Sequence, residues 1–187
     1  MFERVWGNVM KIENEITVLN IDKEKFIKKI LEAGGKEVSP ELKQIRCVYD
    51  FNPVNPHKWI RLRTNGKKTT LTIKETNANS KMGAKELEIE VSDFEETNRI
   101  LNELGYQYRN RQENRRHIFM LDGTEISIDT WPKIKPYAEI EADTKEDIAN
   151  VLKKLDVKPS QITELDVCSI YSDIYGIDLL SIKDLTF

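Results

Sequence analysis

Residues 9–19 read Val9-Met10-Lys11-Ile12-Glu13-Asn14-Glu15-Ile16-Thr17-Val18-Leu19. In an extended chain successive side chains point to opposite faces, so Lys11, Glu13, Glu15 and Thr17 share one face and Ile12, Ile16 and Val18 take the other. One face suits a core and the other is ionic. Two carboxylates two residues apart on a strand sit only about 7 Å from each other and repel, which a strand tolerates best when cations lie between or opposite them. Glu13 and Glu15 are therefore a candidate metal or cation site, or else form the solvated face of an edge strand. The remaining strands decide between the two.

The same alternation recurs downstream. Trp59-Ile60-Arg61-Leu62-Arg63 and Thr70-Leu71-Thr72-Ile73-Lys74 each carry one apolar and one cationic face, joined through the turn Thr64-Asn65-Gly66-Lys67. Lys85-Glu86-Leu87-Glu88-Ile89-Glu90-Val91 is the clearest case, with Leu87, Ile89 and Val91 opposed to three glutamates. Residues 44–51, 106–120, 125–129 and 137–141 read as the other strands. The Pro/Asn stretch from Asn52 to Pro56 is expected to end the second one. Helices are expected over 23–33 behind Asp22, from Asp93 to Leu104, from Thr144 to Leu155 and from Thr163 to Tyr175. Residues 75–84 form a polar loop.

With 187 residues, 29 basic and 32 acidic side chains and a net charge of −3, the chain reads as a single domain over 1–187. Strands and covering helices occupy about 10–142, and a C-terminal helical segment about 143–187. The near cancellation of charge argues against a nucleic acid polymer as partner. No apolar run approaches a membrane span, and the N-terminus lacks a signal core, so a cytoplasmic location is expected. Cys47 and Cys168 lie far apart without metal-type spacing and read as packed or free thiols, and His57 and His117 show no ligand pattern.

Eight strands with short turns point to an antiparallel sheet whose apolar face the helices cover. The other face then gathers Glu13, Glu15, Arg61, Arg63, Lys74, Glu86, Glu88, Glu90, Arg116, Glu125, Asp129, Glu139 and Glu141. Eight strands suffice to close a small barrel. The expectation is thus an α+β fold: an eight-stranded antiparallel β-barrel, or tunnel, lined by both signs of charge, with helices packed on the outside. Arginine forks and a lysine grip phosphoryl oxygens, while carboxylate pairs hold hard divalent cations that neutralise the same phosphates.

These segments, in order, resemble the CYTH superfamily of triphosphate tunnel metalloenzymes, which groups class IV adenylyl cyclases with thiamine and inorganic triphosphatases. The pieces that carry the resemblance are Glu13-x-Glu15, Tyr49-Asp50-Phe51, Arg61-x-Arg63, Leu71-Thr72-Ile73-Lys74, Glu86-x-Glu88-x-Glu90, Asn114-Arg115-Arg116 with Phe119, Asp129 before Trp131-Pro132, and Glu139-Ile140-Glu141. The resemblance implies that Glu13, Glu15, Asp129, Glu139 and Glu141 bind metal, as Mg²⁺ or Mn²⁺. It implies that Arg61, Arg63, Lys74 and Arg116 grip the triphosphate, and that Glu88 positions water or a basic neighbour, which makes Glu88 and Arg116 the catalytic pair. Two positions depart from the pattern. Thr17 stands where the family carries a lysine after Glu-x-Glu, and Asn114 where it carries a basic residue two before Arg116.

The resulting expectation is a divalent-metal-dependent enzyme acting on a small-molecule triphosphate, such as ATP, tripolyphosphate or thiamine triphosphate. Two chemistries share these parts: hydrolysis of the terminal phosphoryl group, and cyclisation of ATP to cyclic AMP with loss of pyrophosphate. The alternative is a non-catalytic binder of polyphosphate or nucleotide, for which the missing cations at Thr17 and Asn114 argue. Whether the protein forms a homodimer stays open at this level.

Overall fold

The computed structural model describes residues 11–12, 14–76 and 85–187. Strands β1 (Lys11–Ile12) and β2 (Asn14–Val18) lead into helix α1 (Lys23–Glu32), followed by β3 (Lys36–Asn55), β4 (Lys58–Thr64), β5 (Thr69–Glu75) and β6 (Lys85–Val91). Helix α2 (Phe94–Glu103) precedes β7 (Tyr108–Leu121), β8 (Thr124–Thr130), β9 (Tyr137–Ala142) and helix α3 (Lys145–Lys154). The C-terminal segment adds β10 (Ile162–Thr163), the single turn α4 (Val167–Ser169) continued by a π-turn at Ile170–Ile174, and β11 (Asp184–Leu185).

The three long helices begin where their caps dictate. The side chains of Asp22, Asp93 and Thr144 accept from the backbone N–H of Lys25, Glu96 and Asp147, satisfying donors that a helix start otherwise leaves orphaned. Gly34 and Gly105 follow α1 and α2 at φ +93° and +91°, a left-handed backbone that glycine adopts without strain.

Strand order is β1-β6-β5-β4-β3-β7-β8-β9-β2-β10, antiparallel throughout, with β11 lying parallel to β7 off this path. The expected α+β architecture with a large antiparallel sheet is present, but the closed eight-stranded ring is not the pattern observed. Eleven strands are found among the described residues, and the hydrogen-bonded path runs from β1 to β10 without returning on itself. The excess has a local origin. The first expected strand is two segments that choose different neighbours, β1 on β6 and β2 on β9, and the C-terminal segment contributes two short strands to edges left free.

Two further expectations are corrected. Asn52 does not end the second strand: β3 runs on to Asn55, past its last pairing with β7 at Tyr49 and through a bulge between Asp50 and Asn55, so Pro53 need not donate to a ladder. The expected helix from Thr163 to Tyr175 is broken into β10, a short helical turn and the π-turn, because Thr163 is committed to pairing with Thr17.

Alternation does the packing. The outward side chains Val18, Phe119, Leu121, Ile126, Ile128, Ala138 and Ile140 are buried under Phe26 and Ile30 of α1 and Ile148 and Val151 of α3. Cys47, Tyr49, Ile60 and Leu62 are buried under Phe94 and Leu101 of α2. Each such aliphatic or aromatic group stabilises by about 1.5–3 kcal/mol when fully removed from water, so the helices hold the sheet's outer face and leave the inner face to polar groups. Among the described residues no helix is long and apolar enough to cross a membrane.

Candidate functional site: an ionic cavity with a basic and an acidic wall

The inner face of the sheet curls around a cavity of about 1080 Å³. Its lining includes Glu15, Arg61, Arg63, Lys74, Glu88, Arg116, Glu139 and Glu141, so residues placed on one face by alternation alone are brought together in space. Glu13 lies outside the described residues. Asp129 is on the same parity but fully buried behind Arg116 rather than on the lining.

Four consecutive strands, β5, β4, β3 and β7, each present an inward cation: Lys74, Arg61 with Arg63, Arg46, and Arg116. The next three, β8, β9 and β2, present Glu125, Glu139 with Glu141, and Glu15. On the other side of the basic strands, β6 supplies Glu86 and Glu88. Charge is thus sorted by strand, and a ligand in the cavity meets cations from one side and carboxylates from the others.

Cross-strand register explains which charges pair. Arg116 stands directly opposite Asp129, and its Nε and Nη2 donate to the two carboxylate oxygens at 3.0 and 2.5 Å. Asn114 Nδ2 donates to Asp129 at 2.6 Å, and Arg116 Nη2 also reaches Glu139 at 2.5 Å. Burial by itself would lower the Arg116 pKa, but Asp129 and Glu139 outweigh it and hold the guanidinium well above its ordinary value. Burial likewise opposes ionisation of Glu139, and Arg116, then Arg46 and Lys74, overcome it and keep this carboxyl below the usual range.

On the basic wall, Arg61 reaches Glu86 at 3.4 Å and Glu88 at 3.6 Å, Arg63 reaches Glu88 at 3.8 Å, and Lys74 pairs with Glu86. Thr72 Oγ1 donates to Glu88 at 2.7 Å. Burial raises the Glu88 pKa, but the Thr72 hydroxyl, Arg63 and Arg61 bring it below the ordinary value. In this geometry Glu88 aims two arginines into the cavity. Arg63 is crowded by Arg61 first, then by burial and by Arg46 and Arg116, all of which disfavour its charge.

On the acidic wall, Glu15 of β2 stands opposite Glu141 of β9, which stands opposite Glu125 of β8. Three carboxylates in direct cross-strand register repel unless a cation is near. Among the described residues no three carboxylate, imidazole or thiol groups converge as a complete cage. Mg²⁺ does not need one, since it keeps several waters and is commonly held by one or two carboxylates plus substrate phosphates. An oxygen-only row of this kind fits a hard divalent ion and would not favour zinc or copper.

The sequence reading missed Arg46 and left Glu86, Glu125 and Tyr137 out of the site. Parity along Gln44-Ile45-Arg46-Cys47 would have placed Arg46 inward with Gln44, but Val48 on the same face interrupts the polar stripe. Trp131 and Tyr137 also line the cavity, at the end closed by Ile170, Tyr171, Leu179 and Leu185 of the C-terminal segment.

A family model for the CYTH domain matches residues 13–165. No curated protein matches the chain. Among solved structures, a conserved hypothetical protein from Pyrococcus furiosus is similar at 24% identity, with a TM-score of 0.72 over 83% of this chain and 97% of that one. A candidate adenylate cyclase from Vibrio parahaemolyticus gives 13% identity and a TM-score of 0.72, covering 89% of this chain and 99% of that one. A candidate adenylyl cyclase from Hippeastrum, described as having a dominant triphosphatase activity, gives 14% identity and a TM-score of 0.59, covering 92% and 100%. At these identities the structural likeness is one of fold. The family match spans most of the chain and contains every strand of the cavity from β2 to β9, and the protein belongs to the CYTH domain family.

Proposed function

We propose that this protein is a divalent-metal-dependent enzyme that hydrolyses the terminal phosphoryl group of a small-molecule triphosphate. The observation that carries the reading is the cavity's polarity, with Lys74, Arg61, Arg63 and Arg116 lining the same cavity as Glu15, Glu139 and Glu141. A phosphate chain alone would be repelled by the acidic wall, and a cation alone by the basic wall. Their complex satisfies both.

The strand path is open, but its two ends lie close in the chain. β1 lies on β6 and β2 on β9, at or near opposite ends of the path, and only residue 13 separates them in the chain. Glu15, Glu139 and Glu141, with Glu13 beside them in sequence, would hold Mg²⁺ or Mn²⁺, which neutralises phosphate charge and acts as a Lewis acid when bound. Arg61, Arg63, Lys74 and Arg116 bind the phosphoryl oxygens and stabilise the charge that spreads over them as the bond to the next phosphate breaks. Glu88 positions Arg61 and Arg63, and Asp129 locks the plane of Arg116. Water adds across the broken P–O bond, giving orthophosphate and the shortened chain, and its proton leaves with the phosphate products.

Purified protein incubated with Mn²⁺ or Mg²⁺ and ATP, thiamine triphosphate or tripolyphosphate is expected to release orthophosphate. Cyclic AMP with pyrophosphate from ATP would replace hydrolysis by cyclisation, and saturable binding without either product would leave a non-catalytic binder.

Lys74 sets the alkaline limit of this grip. Burial first, then Arg61, lowers its pKa from 10.5, with Glu86 acting against them. Its charge therefore weakens the unliganded fold below the lowered value, and this penalty is relieved as pH rises through it. Anion binding has the opposite sign, because it needs the ammonium. Affinity for tripolyphosphate should fall before pH 10.5 is reached, and Lys74→Arg, which stays charged, should shift that fall upward. Calorimetric titrations of both proteins from neutral to alkaline pH check this, and superimposable profiles would remove Lys74 from the explanation.

A further inference from the structure

Arg46 does not behave as a structural arginine. It is 7% exposed, and among the described residues it has no carboxylate partner within the 4.0 Å that defines the other ion pairs of the cavity. Its Nη2 donates to two neutral acceptors, Asn114 Oδ1 at 2.7 Å and Gln44 Oε1 at 3.2 Å. Its Nε is buried without a hydrogen-bond partner. Its direct cross-strand neighbour on β4 is another arginine, Arg63. Like charges set directly opposite are destabilising. Burial, then Arg61 and Arg116, disfavour its charge and outweigh the favourable field of Asp129, lowering its pKa to about 10.

Two more unspent donors lie in the same corner. The guanidinium stacks over the Trp131 ring at 4.5 Å, and the indole Nε1 has no acceptor. Tyr137 stands opposite Asp129 on β9, is 1% exposed, and its hydroxyl has no partner either. A phenol is protonated at neutral pH, so this hydroxyl is available as a donor. Three buried N–H or O–H groups without partners, all on residues that line one cavity and one of them on a guanidinium with no ion-pair partner among the described residues, would be satisfied by an anionic oxygen.

We propose that Arg46, Tyr137 and Trp131 form a phosphate-binding position that takes over the role of the basic side chain absent at Asn114. Arg46 reaches the same space from the neighbouring strand and uses Asn114 as the bracket that holds its guanidinium. The basic wall is thereby continuous over β5, β4, β3 and β7. The proposal rests on the triphosphate reading of the cavity and names one further contact within it.

Calorimetric binding of tripolyphosphate in the presence of Mg²⁺, with thermal melts of the unliganded proteins, tests it. Arg46→Gln should bind on the order of 10- to 100-fold more weakly, the range for losing hydrogen bonds between charged groups. Unliganded Arg46→Gln should melt at the same temperature as wild type or higher, because a cation opposed to Arg63 has been removed. A merely structural arginine would give the reverse, a lower melting temperature with unchanged affinity, and that result overturns the proposal. Should Arg46→Gln fail to fold, Tyr137→Phe decides, since it deletes one hydroxyl from an otherwise intact ring. It should bind about 10-fold more weakly, and affinity equal to wild type would exclude the position. Wild-type protein that binds no tripolyphosphate would remove the triphosphate reading as a whole, whereas wild-type binding matched by Arg46→Gln removes this position alone.

Discussion

Arg116→Met is expected to lower the stability of the unliganded protein by about 3–5 kcal/mol, the range seen when one member of a buried charge cluster is deleted and its partner stays ionised. The reason is that Arg116 is shared. It donates through both Nε and Nη2 to Asp129, which is 0% exposed, and through Nη2 to Glu139. Methionine fills a similar volume but leaves the carboxylates of Asp129 and Glu139 without the cation between them, with Asn114 the only side chain among the described residues still donating to Asp129. The loss should depend on pH with a definite sign. Burial already raises the folded-state pKa of Asp129 above its unfolded value against the pull of Arg116, and losing Arg116 raises it further, so the added penalty grows as pH climbs above that unfolded value and shrinks again on acidification. Urea denaturation of both proteins near neutral and mildly acidic pH should show the difference narrowing at the lower pH. Asp129→Asn in the Arg116→Met background should recover part of the stability, since it removes one of the orphaned charges. A single variant within 1 kcal/mol of wild type would mean that the cluster is solvated enough to dispense with its cation, a gap of the size surface ion pairs give.

Glu141→Gln should have the second large effect and leave the fold intact. Glu141 is the middle of the cross-strand row Glu15, Glu141, Glu125, and its amide replacement is isosteric. The amide keeps the shape of the side chain, so the variant should stay folded, with the circular dichroism of the wild type. The divalent ion loses a charged ligand. Phosphate release with Mg²⁺ or Mn²⁺ should fall at least about 100-fold, as removal of one transition-state charge contact commonly does, and the thermal shift produced by the ion with tripolyphosphate should be lost. Full turnover in Glu141→Gln would take this row out of the metal assignment and leave the acids beside Arg116 as the remaining carriers of it.

The two predictions share one physical cause. Sorting the charges by strand places like charges side by side, Arg46 against Arg63 on the basic wall and Glu15 against Glu141 on the acidic wall. A sheet selected only for stability would interleave the signs, because opposite charges in cross-strand register stabilise and like charges do not. Here the helices supply the compensation from outside, through apolar contacts of α1, α2 and α3 with the outward face. Substitutions that relieve the crowding are therefore expected to trade function for stability, whereas substitutions at Arg116, where opposite charges do meet, forfeit both.

Much of this was legible in the sequence, because the period of a strand is a local property. Once Arg61, Leu62 and Arg63 alternate, the face each occupies follows from backbone geometry alone, and the same holds for Glu139, Ile140 and Glu141. The long helices were equally legible, since Asp22, Asp93 and Thr144 act on their own first turns. Tertiary structure decided what depends on which strand lies beside which. Asp129 withdraws behind Arg116 only because β7 and β8 pair in a register that sets them opposite each other. Arg46 becomes part of the basic wall only because β3 runs between β4 and β7. The ends of the sheet path are likewise set by the partners β1 and β2 take, and the C-terminal helix gave way to β10 because β2 offered Thr163 a ladder. Face is encoded in nearest neighbours along the chain; partnership is encoded in the pairing of separate strands, which no local period records.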